Sequence, residues 1–157
     1  MNKYLRNPVF WIVAIGFLFR LAFFFIGAKY YFGRTDFRID ADSYNWLQMF
    51  ENWIHYGIFS TNLNSEFGLY GRLPGYSIFM GIIYHTTGHN LDLTLNIIVA
   101  IQIILDTLTI LLVWKISLKI HPSRIFAGIA ACLYAIYPFI IVWTPVAYSE
   151  SISIFLL

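Results

Sequence analysis

Charge is what this sequence has least of. Only 11% of its 157 residues are Asp, Glu, Lys or Arg, against about 25% in an ordinary soluble domain. So few ionic groups cannot clothe a water-soluble globule of this size. The net charge of +2 is small and the basic residues are scattered along the chain, which excludes the clustered basic surface that nucleic acid requires. The single cysteine, Cys132, excludes an intrachain disulfide and any cluster of metal-binding thiolates. Internal repeats, low-complexity tracts and flexible linkers are missing too, so there is no sign of a second, soluble domain. What is present is apolar: 59% hydrophobic residues and 20% aromatic, with a mean hydropathy of +0.69. The chain reads as an integral membrane protein.

Residues 9–27 are apolar apart from Arg20 and long enough to span a bilayer. Lys3 and Arg6 precede them, which puts the N-terminus in the cytoplasm. Arg20 interrupts the run and no small-x-small cleavage pattern follows, so an uncleaved first helix is favoured over a signal peptide. Residues 93–114 read as a second span, with Lys115, Lys119 and Arg124 at its cytoplasmic end. Residues 125–143 then return outward, with Gly128, Ala130 and Ala131 suited to close helix packing and Pro138 near the outer end. Residues 151–157 start a fourth apolar segment too short to cross, so the sequence reads as the front part of a longer protein. Gln102, Asp106 and Thr109 share one helix face and must point into a bundle. Counted from the cytoplasmic ends, Arg20 and Asp106 lie at similar depth and are expected to pair.

Between the first two spans, a polar stretch over residues 29–73 holds Asp36, Asp40, Asp42, Glu51 and Glu66. Within it residues 42–56 have helical amphipathic spacing, with Trp46, Met49, Phe50 and Trp53 on one side and Gly57 as a stop. The apolar run 74–87 is too short to span and fits a second interfacial helix. The expected fold is therefore all-α: polytopic membrane helices in one transmembrane domain, with two interfacial helices in the first extracytoplasmic loop.

The chemistry-bearing stretch is Asp40-Ala-Asp-Ser-Tyr44. Two carboxylates one residue apart can hold a divalent cation, bind a phosphate through it, or act singly as a general base. Equally, Asp42 can cap the following helix while Asp40 is a solvated loop residue. A divalent metal at Asp40/Asp42 is a possible cofactor, and no other is indicated. Arg72 should lie near headgroup level, where a guanidinium suits a phosphate or anchors to lipid. Tyr44 and Tyr76 can stack on a sugar or belong to an aromatic belt. His55, His85, His89 and His121 show no metal-type spacing and carry no role in this reading.

In order, the chain has a first helix containing an arginine, then Asp40-Ala-Asp-Ser-Tyr44 leading into an aromatic helix, then Gly71-Arg-Leu-Pro-Gly-Tyr76 and a short apolar helix. A span with a basic end and Tyr137-Pro138 ahead of Ser149-Glu150 follow. This set resembles the N-terminal region of the C-type (GT-C) membrane glycosyltransferases, specifically the protein mannosyltransferase and aminoarabinose transferase group. The resemblance implies transfer of a sugar from a polyprenyl-phosphate donor to a lipid, glycan or protein acceptor at the outer face of the plasma (inner) membrane. It makes Asp40 the catalytic or acceptor-orienting carboxylate, with Asp42 as the second. It maps the family's basic-Pro-Pro-x-Tyr element onto Arg72, Pro74 and Tyr76, with Leu73 in place of the first proline. Glu150 takes the place of an acidic residue at the outer start of a later helix. The aminoarabinose group's metal-binding glutamate is replaced by Gly71, so no metal is implied by that route, and the family's donor tunnel implies helices beyond residue 157.

Two other classes fit the composition. One is a multi-pass transporter or channel subunit, with Arg20, Gln102, Asp106 and Thr109 lining a pathway and Asp40 and Asp42 at its mouth. The other is a non-catalytic membrane scaffold.

Overall fold

The computed structural model describes residues 8–64 and 74–157, and every regular element among them is helical. In chain order these are α1 (Pro8–Ala22), a π-helical turn (Phe23–Gly27), α2 (Ala28–Phe32), α3 (Ala41–Tyr56) and α4 (Pro74–Thr86). They are followed by α5 (Leu91–Ile120), α6 (Arg124–Ala135), α7 (Pro138–Trp143) and α8 (Glu150–Leu156). Two helices are long and apolar enough to cross a membrane: the continuous Pro8–Phe32, 25 residues, and α5, 30 residues. At 1.5 Å per residue they measure about 37 and about 45 Å, against a hydrocarbon core of about 30 Å. Both extend past the spans read from sequence, because a helix continues until a breaker stops it; Gly33, with φ of 63°, ends α2.

The chain divides into two compact units. The first comprises the residues up to Phe37 together with Ile101–Pro145 and Glu150–Leu157. At its centre Arg20 of α1 pairs through Nε with Asp106 of α5, and both side chains are buried, at 0% and 2% exposure. Arg20 Nη1 also donates to the carbonyls of Gly16, at 2.8 Å, and Ala135, at 3.2 Å. Asp106 Oδ1 accepts from the Tyr134 hydroxyl at 2.6 Å. The Thr144 hydroxyl lies 3.1 Å from Asp106 Oδ2 and 2.7 Å from the Ile140 carbonyl, and with one proton it serves one of them at a time. Of the pair's buried polar atoms, Arg20 Nη2 alone makes no hydrogen bond. Gln102 and Thr109 are buried on α5 beside Asp106, as the polar stripe requires.

The third predicted span is two helices rather than one. Pro138 lacks an N–H and its ring collides with the carbonyl four residues back, so α6 stops at Ala135 and α7 restarts with Pro138 in its first turn. A helix end leaves carbonyls without an intrahelical donor. The Ala135 carbonyl is one of these, and Arg20 takes it. Of the small residues expected to pack, Ala131 is buried and Gly128 lies close to Trp114, while Ala127 and Ala135 rather than Ala130 complete the face. Ala127, Ala131 and Ala135, four residues apart, are buried with Ile110 and Trp114, while Ile125, Ile129 and Leu133 are exposed. Gly16 lets α1 approach closely: a Cβ there would sit 2.5 Å from Ile110 Cδ1 and 3.2 Å from Ala135 Cβ.

The second unit is Arg38–Ala100 with Val146–Ser149. Helices α3 and α4 occupy nearly the ranges expected from their apolar spacing. Trp46, Met49 and Phe50 of α3 are buried with Tyr76, Ser77 and Met80 of α4. The Phe50 ring lies over Gly81, where an added Cβ would come within 2.1 Å of it. Gly57 closes α3 in the left-handed region, at φ 71°, its N–H donating to the Trp53 carbonyl.

Removing one partner of a buried ion pair strands the other charge, at a cost of about 3–5 kcal/mol, whereas replacing both with apolar groups can be nearly neutral. Arg20→Met and Asp106→Leu are each expected to lower the melting temperature of the detergent-solubilised protein strongly, and the double variant to recover most of the loss. Gly81→Ala drives a methyl into the Phe50 ring and is expected to destabilise by about 1–3 kcal/mol in the same measurement.

Candidate functional site

The segment ahead of α3 runs extended and is tied down before the helix begins. The Arg38 carbonyl accepts the Ala147 N–H at 2.8 Å. The Ser43 hydroxyl donates to the Ala147 carbonyl at 2.9 Å. Between these ties lies Asp40, with extended backbone angles (φ −136°, ψ 177°), as the N-cap of α3. Its carboxylate accepts the N–H of Ala41, at 2.7 Å, and that of Ser43, while its own N–H donates to Ser43 Oγ at 3.2 Å. This is a capping box with serine as the returning residue. From the other side the Tyr148 hydroxyl donates to Asp40 Oδ2 at 3.2 Å. Asp40 is therefore a half-buried carboxylate with its orientation set from two stretches of chain.

The cap falls on Asp40 and not, as the bland reading of the sequence had it, on Asp42. The reason is Ser43, which stands three residues after Asp40 and can return a hydrogen bond to its N–H. Asp42 is exposed in the first turn of α3, where a negative charge is favourable against the helix dipole. At about 100° per residue, positions two apart are about 200° apart around a helix, so the two carboxylates do not share a face. Among the described residues no third carboxylate or histidine joins them as a metal ligand.

Tyr44 is 51% exposed one turn into α3, and its N–H donates to the Asp40 carbonyl. Tyr76 is placed differently from a sugar-stacking residue. Its ring is buried at 7% exposure, edge-on to Trp46 with centroids 5.6 Å apart, so it positions α3 instead of offering a face. Arg72 lies outside the described residues. Glu150 is exposed at the start of α8, in the first unit.

Three groups went unread in the sequence. Arg38, two residues before Asp40, directs its guanidinium to Asn96 Oδ1 at 2.7 Å and to Asp92 on the first turns of α5. Tyr148, just ahead of Ser149-Glu150, is the donor to Asp40 Oδ2. The third group is Glu51, His85 and His89, whose candidate ligand atoms lie within 4.8 Å of one another. The available signal was spacing: Glu51 and His55 are four residues apart on one face of α3, and His85 and His89 are also four apart, His89 lying in the turn after α4.

Compared with known proteins, the chain matches no family model, no curated protein and no solved structure.

Ser43→Ala removes the return bond of the capping box and leaves the buried Ala147 carbonyl without its hydroxyl donor. A loss of about 1–3 kcal/mol is expected in thermal or denaturant unfolding. Tyr148→Phe, which leaves the cap intact, should cost about 1 kcal/mol or less.

Proposed function

We propose that the chain is part of a C-type membrane glycosyltransferase. It would move a sugar from a polyprenyl-phosphate donor to a lipid, glycan or protein acceptor on the extracytoplasmic face. Asp40 orients the acceptor hydroxyl and takes its proton. The observation that carries this reading is the setting of Asp40: a half-buried carboxylate, fixed by its cap and by Tyr148, at the head of a tryptophan-bearing amphipathic helix. A base aligned in advance lowers the cost of bringing a hydroxyl to the reacting carbon. In the step, the acceptor oxygen attacks the anomeric carbon as its proton passes to Asp40. The bond to phosphate breaks, and the polyprenyl phosphate leaves with the electron pair. Positive charge stabilises that departure, and Arg72 is its source in this reading. Tyr44, exposed beside Asp40, suits the sugar face. Asp42 and Glu150 keep the secondary roles that the family resemblance gives them.

Membrane placement follows from lengths and charges. Pro8–Phe32 leaves most of its apolar surface exposed, with Phe25 and Ile26 at 75% and 66%, which fits lipid better than water. Its basic head faces the cytoplasm, as do Lys115 and Lys119 at the end of α5. Helix α4, 13 residues, reaches only about 20 Å and lies at the interface. The chain is thus read as a multi-pass protein of the plasma membrane with α3 and α4 in its outer interface. The bonding of Arg20 and Asp106 favours this reading over transport. Their charges are matched to each other and to Tyr134 and two carbonyls, which suits a fixed strut better than a site that exchanges partners along a pathway.

Asparagine caps a helix about as well as aspartate. Asp40→Asn therefore removes the base and keeps the fold. Sugar transfer from radiolabelled polyprenyl-phosphate donors, assayed in membranes carrying the full-length protein, should fall by about 10²-fold or more in this variant with an unchanged melting temperature. Asp106→Asn, compared at equal folded amount, should retain transfer. Undiminished turnover in Asp40→Asn would remove the proposed role, and loss of solute flux in Asp106→Asn alone would favour transport.

A further inference from the structure

The C-terminal ends of α3 and α4 carry an ionisable cluster that the transferase reading does not use. Glu51 Oε1 lies 2.8 Å from His85 Nε2, and Glu51 Oε2 lies 3.4 Å from His55 Nε2. The rings of His85 and His89 have centroids 4.5 Å apart, at 64°. His89 reaches this position through an unusual backbone. Gly88 and His89 are both left-handed, with φ of 66° and 64°. They close α4 in a Schellman turn: the His89 N–H donates to the Tyr84 carbonyl at 2.9 Å and the Gly88 N–H to the His85 carbonyl at 3.1 Å. A non-glycine residue in that region is strained, and such strain persists where the surroundings hold it. Here it folds the imidazole of His89 back onto Tyr84 and His85.

We propose that Glu51, His85 and His89 bind a divalent transition-metal ion of zinc type, clamping the end of α4 to α3, with His55 orienting the Glu51 carboxylate. Two imidazole nitrogens and one carboxylate oxygen form a donor set for zinc and its neighbours, while calcium and magnesium take oxygen ligands. Ligand atoms about 2.0–2.2 Å from a tetrahedral zinc lie about 3.4 Å from one another. The three candidate atoms are already within 4.8 Å of one another, so rotation about side-chain bonds closes the remaining gap. Glu51 and His85 come from helices of 16 and 13 residues and His89 from the turn that closes the second, and helices of about that length are marginal alone. Metal binding that bridges them adds directly to the stability of the pair. His55, one turn from Glu51, lies 3.4 Å from the second carboxylate oxygen, where it would steer the first oxygen toward the metal. This site is independent of the transferase reading, and its test does not involve sugar transfer.

Tag-free protein in detergent, stripped with a chelator and dialysed, is titrated with zinc chloride by calorimetry, and bound zinc is counted by elemental analysis. One zinc per chain is expected, with a rise in melting temperature. His89→Ala, at the exposed end of the site, should keep the metal-free melting temperature and weaken zinc binding by about 100-fold or more. Glu51→Gln should also lose tight binding. The proposal is overturned if the wild-type chain takes up no stoichiometric zinc. It is equally overturned if the His85→Ala/His89→Ala variant binds zinc as tightly as the wild type.

Discussion

The buried pair of Arg20 and Asp106 is the constraint on which the first unit depends. An unpaired charge in an apolar interior is prohibitively costly, and a paired one is tolerable only when its remaining donors and acceptors are met. That condition reaches well beyond the two residues. It requires Gly16, because the Gly16 carbonyl accepts Arg20 Nη1 and a larger residue would strike Ile110. It requires Tyr134 on α6 and the helix break at Pro138, which releases the Ala135 carbonyl to the guanidinium. Apolar packing alone would leave the rotation of α1 loosely set, since Phe, Ile and Leu on its surface are interchangeable. The ion pair makes one register distinct.

In the proposed reading, Asp40 meets a structural and a chemical demand together. A helix N-terminus needs an acceptor, and a hydroxyl-activating group must be an acceptor too. Placing the carboxylate at the N-cap immobilises it without a dedicated scaffold, and Tyr148 fixes the second oxygen. The arrangement separates Asp40 from Asp42, which the sequence presents as a symmetrical pair. One carboxylate caps the helix and the other lies exposed in its first turn.

The helices were legible because their signals are local. Apolar run length marked α1 and α5, three- and four-residue spacing marked α3, and a terminal proline with a short apolar run marked α4. Even the Arg20–Asp106 pair was accessible, because depth along a helix is simple arithmetic. The misread features depend on partners distant in sequence. Asp40 outcompetes Asp42 as the cap through Ser43, whose own hydroxyl is anchored by Ala147, 104 residues away. Tyr76 looked like an interfacial aromatic because spacing cannot show that Trp46 covers it. The packing face of α6 centres on Ala127, Ala131 and Ala135 rather than on Ala130, because Ile110 and Trp114 lie against it. The histidines looked unrelated because the join between His85 and Glu51 exists only once α3 lies against α4.

Apart from Asp106 and its neighbours inside α5, much of the polar chemistry of this chain gathers at helix ends, for a physical reason. Inside a helix the backbone satisfies itself, so a polar side chain there must find its partner elsewhere or face water. At an end, unsatisfied N–H or carbonyl groups are available as partners, and the chain changes direction and can aim a side chain. Pro138 ends one helix and supplies Arg20 with a carbonyl; Asp40 begins another and gains its orientation. Gly88 ends a third and turns His89 back upon it. An apolar chain of this kind has little freedom to place function within its helices, so helix-terminating residues are where its chemistry can be built.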